Sequence, residues 1–509
     1  MRQETAADDR GGTPPGGAGA DRCPRGGGAA LPLHVGVGAD MPWSRLRERH
    51  GGLVAVEISP GVSGWLLLGY KENLQVLRDQ TRFSADPRPW SPGGAAPARS
   101  GALAHDGEEH RRLRTAIVDT LARVGTPQLV PVVERAAVHL LDRVAADGSA
   151  DLIGRFAAPL PALVLNELFG LPDAYGHLLA DLTLRLWSGG PDRAEHAAPA
   201  IRSYFRGLVA RKRADPGEDV ASWLLAHPNG LTDDEAVEAL SLLWETGHEP
   251  TTHLIGNALL RLLEDPNVWT AYLGGTLTPE DLVDYVMWTE PPIRMLAGRY
   301  STTDVRFAGA RIRRGDPLLL GFAAAHTDPS VSRGGDDAMA LAGNRSHLSW
   351  GAGAHRCPAT GFARELVRTA IDTAVDRLRG MLLAVGPEDL RRRASLTVHG
   401  LVELPVWFTA TGERAEPAEP REERAEAPVR RRIRRKRGPA PRGARYQAPL
   451  ARGGTEEEQA AVESVPAPAV RPRRRSPQGV GARYQAPFAR EEVRPDSLEK
   501  LLATWRSRE

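Results

Sequence analysis

Residues 350–361 read WGAGAHRCPATG and place Cys357, one of the chain's two cysteines, behind two glycines and a histidine. Glycines two apart permit a tight turn that side chains would block. The residues that follow, PATGFARELVRTAIDTAVDRL, carry apolar side chains at helical spacing, so Cys357 stands at a helix N-terminus. Backbone N–H groups and the helix dipole favour an anion there, which predicts a lowered thiol pKa. A thiolate so placed is a nucleophile or a metal ligand; a buried structural cysteine is the alternative. Two further stretches could do chemistry. HRRLR (110–114) puts His110 and Arg114 four residues apart on one helical face. WETGHEPTTHLIGN (244–257) sets an acid, Glu249, beside Pro250 and Thr251 inside a long helical pattern. Pro250 cannot donate to the carbonyl of Thr246, so the helix is expected to open or kink over 246–250.

The elements that must hold these residues are mostly helical. Helical periodicity covers 70–78, 108–124, 129–146, 152–169, 200–213, 218–226, 233–264 and 360–380. VAVEI (54–58) and WLLLG (65–69) bracket the turn SPGVSG and read as a hairpin. A second strand cluster lies at 304–320, and a last hairpin is expected over 395–408. The fold class is therefore mainly α with small β-sheets, in one large domain from about residue 31 to 411.

The ends differ from this body. Residues 1–30 are glycine, alanine, proline and charge, a composition that predicts a disordered extension. Residues 412–509 form an Arg, Pro and Glu-rich tail, also expected to be disordered. It repeats GARYQAPLAR (443–452) as GARYQAPFAR (481–490), and the basic runs RRRIRRKR (430–437) and RPRRR (471–475) precede the two copies. Its last part, DSLEKLLATW (496–505), reads as a short amphipathic helix. Asp496 and Glu499 have capping-box spacing, and Leu498, Leu501, Leu502 and Trp505 share one face. The repeats would serve as two linked docking motifs, and residues 430–509 could also meet an anionic membrane surface. Beyond the arginine runs, nothing points to nucleic acid.

Two cysteines cannot make a disulfide framework for 509 residues. The N-terminus lacks the apolar core of a secretory signal, and no run of about 18 apolar residues predicts a transmembrane segment. The expected location is cytoplasmic, with peripheral membrane attachment through the tail as an option.

The cysteine loop resembles the haem-binding loop of the cytochrome P450 family, an aromatic followed by Gly-x-Gly-x-His/Arg-x-Cys. Trp350, Gly351, Gly353, His355 and Cys357 fill that pattern, and the resemblance extends over about residues 31–410. It implies the cytochrome P450 fold, with heme b (iron protoporphyrin IX) as cofactor and Cys357 as the metal ligand. Thiolate ligation favours O–O cleavage, and nearby backbone N–H groups tune the sulfur. It also implies that His110, Arg114, Arg299 and His355 bind the haem propionates. The long helix would cross the distal haem face, with Gly247 close to the cofactor. Glu249, and Thr251 in place of the hydroxyl lost at Pro250, would deliver protons.

Two departures stand out. The family's Glu-x-x-Arg falls on DLVDYVMWTEPP (281–292), where Asp284 replaces the acid and Met287 replaces the arginine. Methionine cannot form the ion pair, so that charge network is expected to be absent or rebuilt from elsewhere. These features are similar to an actinobacterial subgroup without the Glu-x-x-Arg motif, found in conserved operons beside a small GTPase. The leading implication is a haem-thiolate monooxygenase. It would insert an oxygen atom from O2 into a small apolar substrate with electrons from a ferredoxin and ferredoxin reductase, entering near Arg356. The alternative is a non-catalytic haem-binding regulatory or scaffold protein of a GTPase signalling system, with the tail docking partners. A third is a scaffold that has lost haem.

Overall fold

The computed structural model describes residues 30–34, 41–88, 101–171, 176–188, 190–332 and 338–411. The extensions expected at 1–30 and 412–509 lie outside these residues, apart from Ala30. So do parts of the loops around 84–100, 170–200 and 330–346.

Alternating apolar residues build β2 (Leu53–Ser59) and β3 (Val62–Leu67), which pair antiparallel as the expected hairpin. They join β1 (Leu31–Pro32), β4 (Phe83–Ser84), β6 (Met295–Ser301) and β9 (Pro317–Gly321) in a six-stranded sheet of order β1-β2-β3-β9-β6-β4. β7 (Val305–Phe307) and β8 (Ala310–Ile312) form a separate ribbon, so the strand cluster at 304–320 divides between two sheets. β5 (Ser149–Asp151), β10 (Leu382–Leu383) and β11 (Pro405–Trp407) make a third sheet, of order β10-β11-β5.

The hairpin expected over 395–408 does not form. Val398 bridges to Ile293, Leu401 bridges to Arg392, and β11 pairs with β5 and β10 instead. The run is apolar enough for strands, but its residues find partners far away in sequence, which local pattern cannot reveal.

Helices dominate the remainder. They are α1 (Trp43–His50), α2 (Tyr70–Arg78), α3 (Gly107–Ala122), α4 (Thr126–Asp142), α5 (Pro159–Phe169), α6 (Gly176–Ser188), α7 (Gly190–Ala214), α8 (Val220–Leu225), α9 (Asp233–Glu264), α10 (Pro266–Leu273), α11 (Pro279–Thr289), α12 (Phe322–His326), α13 (Ala338–Leu341) and α14 (Thr360–Arg377). The stretch expected as one helix over 152–169 begins with a π-helical turn, Ile153–Ala157, before α5.

The longest, α9, starts at a capping box between Thr232 and Glu235 and is buried along most of its length. It remains helical straight through Pro250, so the opening expected at 246–250 is absent. Proline removes one N–H donor, but Trp244, Leu254, Ile255 and Ala258 are nearly fully buried around it. Packing of that extent outweighs a single lost hydrogen bond, worth about 1 kcal/mol net.

Candidate functional site

The loop before α14 is fixed by its own backbone. Cys357 N–H donates to the Trp350 carbonyl at 2.8 Å, and Gly351 N–H donates to that of Leu348 at 2.7 Å. Gly351 and Gly353 both adopt φ +69°, where a side chain would be strained. Gly353 also lies against the end of α2: a Cβ there would sit 2.4 Å from the Leu77 carbonyl oxygen. The glycines thus let the loop press onto α2.

α14 begins at Thr360, three residues beyond Cys357. The thiol pKa is not lowered as expected. Burial pushes it up, ahead of the opposing pull of the Ala359 N–H, Thr360, Arg114 and Arg356. The sulfur stands outside the helix proper, so the N-terminal donors reach it only in part. A coordinated metal ion would deprotonate such a thiol outright.

Beside the sulfur the structure gathers the expected cations. The His110 and His355 rings lie 4.0 Å apart, centroid to centroid. Arg114 donates to the carbonyl of Arg356, next to Cys357. Arg299 reaches the same cluster from β6. Gly298, at φ +125°, is the extra residue of a bulge there, and Arg299 follows it 7% exposed. The anion of the cluster is Asp106, which the sequence did not single out. It accepts from His355 Nε2 at 2.9 Å, from the Ser84 hydroxyl at 2.6 Å and from the Ala85 N–H at 2.8 Å. Burial raises the Asp106 pKa, but these donors outweigh it and hold the carboxyl at about 2. Burial, together with the charge of His355 and Arg114, pushes His110 down to about 4.

The distal-helix residues form a different group. Among the described contacts none joins Gly247, Glu249 or Thr251 to the cation cluster. Glu249 is buried and lies 3.1 Å from His253 Nε2 and 3.8 Å from His248 Nδ1. Burial would raise its pKa, yet His253, His248 and Arg393 bring it to about 2. The His253 ring is packed so tightly on Gly400 that a Cβ there would come 2.0 Å from its Nδ1. Thr251 is 7% exposed, and the Thr252 hydroxyl is enclosed without a partner. Gly247 faces Leu165.

The charge network lost at Met287 is rebuilt. Met287 is buried in the apolar core, while Asp284, fully buried, contacts three cationic or ionisable side chains. Arg364 of α14 donates to it, His347 Nε2 lies at 3.3 Å and Arg345 Nε at 3.5 Å. Arg345 and His347 precede the cysteine loop and Arg364 follows it, so Asp284 ties α11 to both sides. The backbone adds to this clamp. The Ser349 hydroxyl donates to the Met287 carbonyl at 2.7 Å, and Leu348 N–H donates to His326 Nε2 at 2.9 Å. A signal was present in the sequence: RSH (345–347) and ARE (363–365) flank the loop symmetrically.

The cluster fits a haem. Among the described residues, Arg299 has no carboxylate within ion-pair distance and donates only to the Gly298 carbonyl. His355 Nδ1 and Trp350 Nε1 are buried without hydrogen-bond partners. The Trp350 indole N–H, a donor in this state, needs an acceptor. Arg114 and Arg299 are two guanidiniums beside the single carboxylate of Asp106, with His110 held neutral, so they keep donors that propionates could accept from.

Comparison with known proteins agrees. No family model matches the sequence. The 2-hydroxy-5-methyl-1-naphthoate 7-hydroxylase of Streptomyces carzinostaticus is 30% identical over 389 residues, covering 71% of this chain and 93% of that protein. Cytochrome P450 FAS1 of Rhodococcoides fascians is 30% identical over 412 residues, 75% of this chain and all of that one. Among solved structures, CYP154A1 from Streptomyces coelicolor superposes with a TM-score of 0.66 at 30% identity, over 74% of this chain and 100% of that one. The tirandamycin C-bound P450 monooxygenase TamI does so with a TM-score of 0.64 at 30% identity, covering 72% and 96%.

Proposed function

The chain belongs to the cytochrome P450 family of haem b monooxygenases, and from that premise we propose that Cys357 carries the haem iron for oxygenation of a small apolar substrate. The observation that supports this reading best is the clamped loop with the Arg114 and Arg299 guanidiniums gathered beside it. Haem bound through a thiolate supplies O2 activation and transfer of one oxygen atom. The residues around it hold and shield. Arg299, His110, Arg114 and His355 would orient the cofactor through its carboxylates, and α9 would line the pocket on the side away from the cysteine loop. Glu249 Oε1 faces His253 Nε2 at 3.1 Å, an acid and a base side by side on α9, and Thr251 is the hydroxyl nearest in sequence to the position that Pro250 vacates. Arg356 is exposed beside the sulfur, which suits electron entry from an acidic ferredoxin-type partner.

The test is the absorption spectrum of the reduced protein under CO. We expect the red-shifted band of thiolate ligation, and its complete loss in Cys357→Ser with the fold retained by circular dichroism. Loss of haem from the native chain after haem-supplemented expression would sink the proposal.

The division of the chain is part of the same reading: a haem domain over 31–411, an extension at 1–30, and a tail at 412–509 that binds partners through residues 430–509. No helix among the described residues is long and apolar enough to cross a membrane. The rebuilt Asp284 network and the EPTT stretch support placement in the subgroup without Glu-x-x-Arg, where the RYQAP repeats would dock signalling partners. A chain ending at residue 411 should keep the full haem-to-protein ratio of the native chain; a drop would place the boundary elsewhere.

A further inference from the structure

Leu382 is 68% exposed and Trp407 57% exposed, and the two are paired directly across β10 and β11. Paired residues project from the same face of a sheet. The alternate residue Val406 turns inward and is buried. On the outer face Pro405 lies two residues before Trp407 on the same side, and Val385, 38% exposed, follows β10. Single exposed leucines need no explanation, but a tryptophan stacked across a strand pair with leucine is an apolar patch without a cover.

The position of this patch points to an occupant. β11 is the last described strand. Thr409 N–H donates to the Arg379 carbonyl and Thr411 N–H donates to that of Ala145, so the chain leaves the fold beside the patch. Residues 412–495 would span about 50 Å as a flexible coil, enough to return to the same face. In the sequence of residues 496–505, Leu498, Leu501, Leu502 and Trp505 have the spacing of one helical face, behind the capping-box pair Asp496 and Glu499. A ten-residue helix is marginal alone and needs an apolar surface. The GARYQAP repeats fit less well, since each brings only a tyrosine and one further large apolar residue. A tether of this length supplies an effective concentration on the order of millimolar, so a weak contact suffices.

We propose that residues 496–505 dock as an amphipathic helix on the outer face of the β10-β11-β5 sheet, over Leu382 and Trp407. The intervening segment, with both repeats, is thereby closed into a loop that is held at its two ends.

Hydroxyl-radical footprinting of the full haem-loaded chain tests this directly. In the doubly substituted Leu501→Glu/Leu502→Glu chain, modification of Trp407 and Leu382 should rise at least fivefold, with haem content unchanged. Reciprocally, Leu382→Glu should raise modification of Leu501 and Trp505. The substitutions at 501 and 502 lie outside the described fold, so a folding defect will not mimic the result. Equal modification rates in native and substituted chains would overturn the proposal. So would protection that disappears on dilution as a dimer dissociates in sedimentation velocity, because the cover would then be a second copy.

Discussion

Asp284→Asn is expected to destabilise the folded protein by about 3 kcal/mol, the usual cost of removing one partner from a buried ion pair. The asparagine keeps the shape but leaves Arg364, with only 15% of its side chain exposed, facing no anion. For a domain of this size that corresponds to a fall in Tm of about 4 °C. The pH dependence is a second signature. Burial alone would raise the Asp284 pKa, but the His347 hydrogen bond and Arg364 outweigh it, so the folded value lies below the ordinary carboxylate range. A depressed carboxylate stabilises the fold above its unfolded pKa, and that contribution is lost as pH falls through the folded value. The variant should therefore lose stability at neutral pH and show a flatter acid limb. Thermal unfolding between pH 7 and pH 3 checks both. If native and variant chains melt together at pH 7, Asp284 is not the tie between α11 and the cysteine loop.

Gly353→Ala should reduce haem retention more than tenfold. The new methyl would stand 2.4 Å from the Leu77 oxygen, 3.1 Å from the Arg78 Cα and 3.2 Å from the Leu77 carbonyl carbon. All three are backbone atoms and cannot swing aside, so the loop must lift off α2 and carry Cys357 with it. Overpacking of this kind costs about 1–3 kcal/mol, and the positive φ adds about 1 kcal/mol. Two other glycines calibrate the result. Gly351 has the same φ, but its nearest neighbours lie 3.7 Å away, so Gly351→Ala should show only the strain. Gly361 has open space around it inside α14, and Gly361→Ala should be neutral or slightly stabilising. Haem-to-protein ratios after identical expression give the order. Equal ratios for the alanines at 353 and 361 would show that close approach to α2 does not matter.

The sequence exposed the parts of this site that depend on local pattern. The glycine spacing before Cys357, the four-residue step from His110 to Arg114 and the long periodicity of α9 are all readable without a fold. What escaped it depends on contacts between distant segments. Asp106 matters because Ser84 and His355 converge on it, and neither is near it in the chain. The thiol pKa was misjudged because a helix start is legible and the burial of a loop is not. The same holds for Pro250. Its missing donor is a local fact, and the packing that keeps α9 helical around it is a tertiary one. The apolar run 395–408 contained a strand, but its partners were β5 and β10.

The rebuilt clamp also bears on what position 287 can accept. Asp284 already has Arg364, His347 and Arg345 around it, so the place held by arginine in relatives is no longer vacant in charge, only in sequence. Restoring an arginine at position 287, one helical turn along and buried in the apolar core, would set a cation among apolar side chains, next to a carboxylate that already faces Arg364, His347 and Arg345. Met287→Arg should therefore melt below Met287→Leu. Position 287 is thus expected to accept an apolar side chain and to reject the arginine of the family pattern.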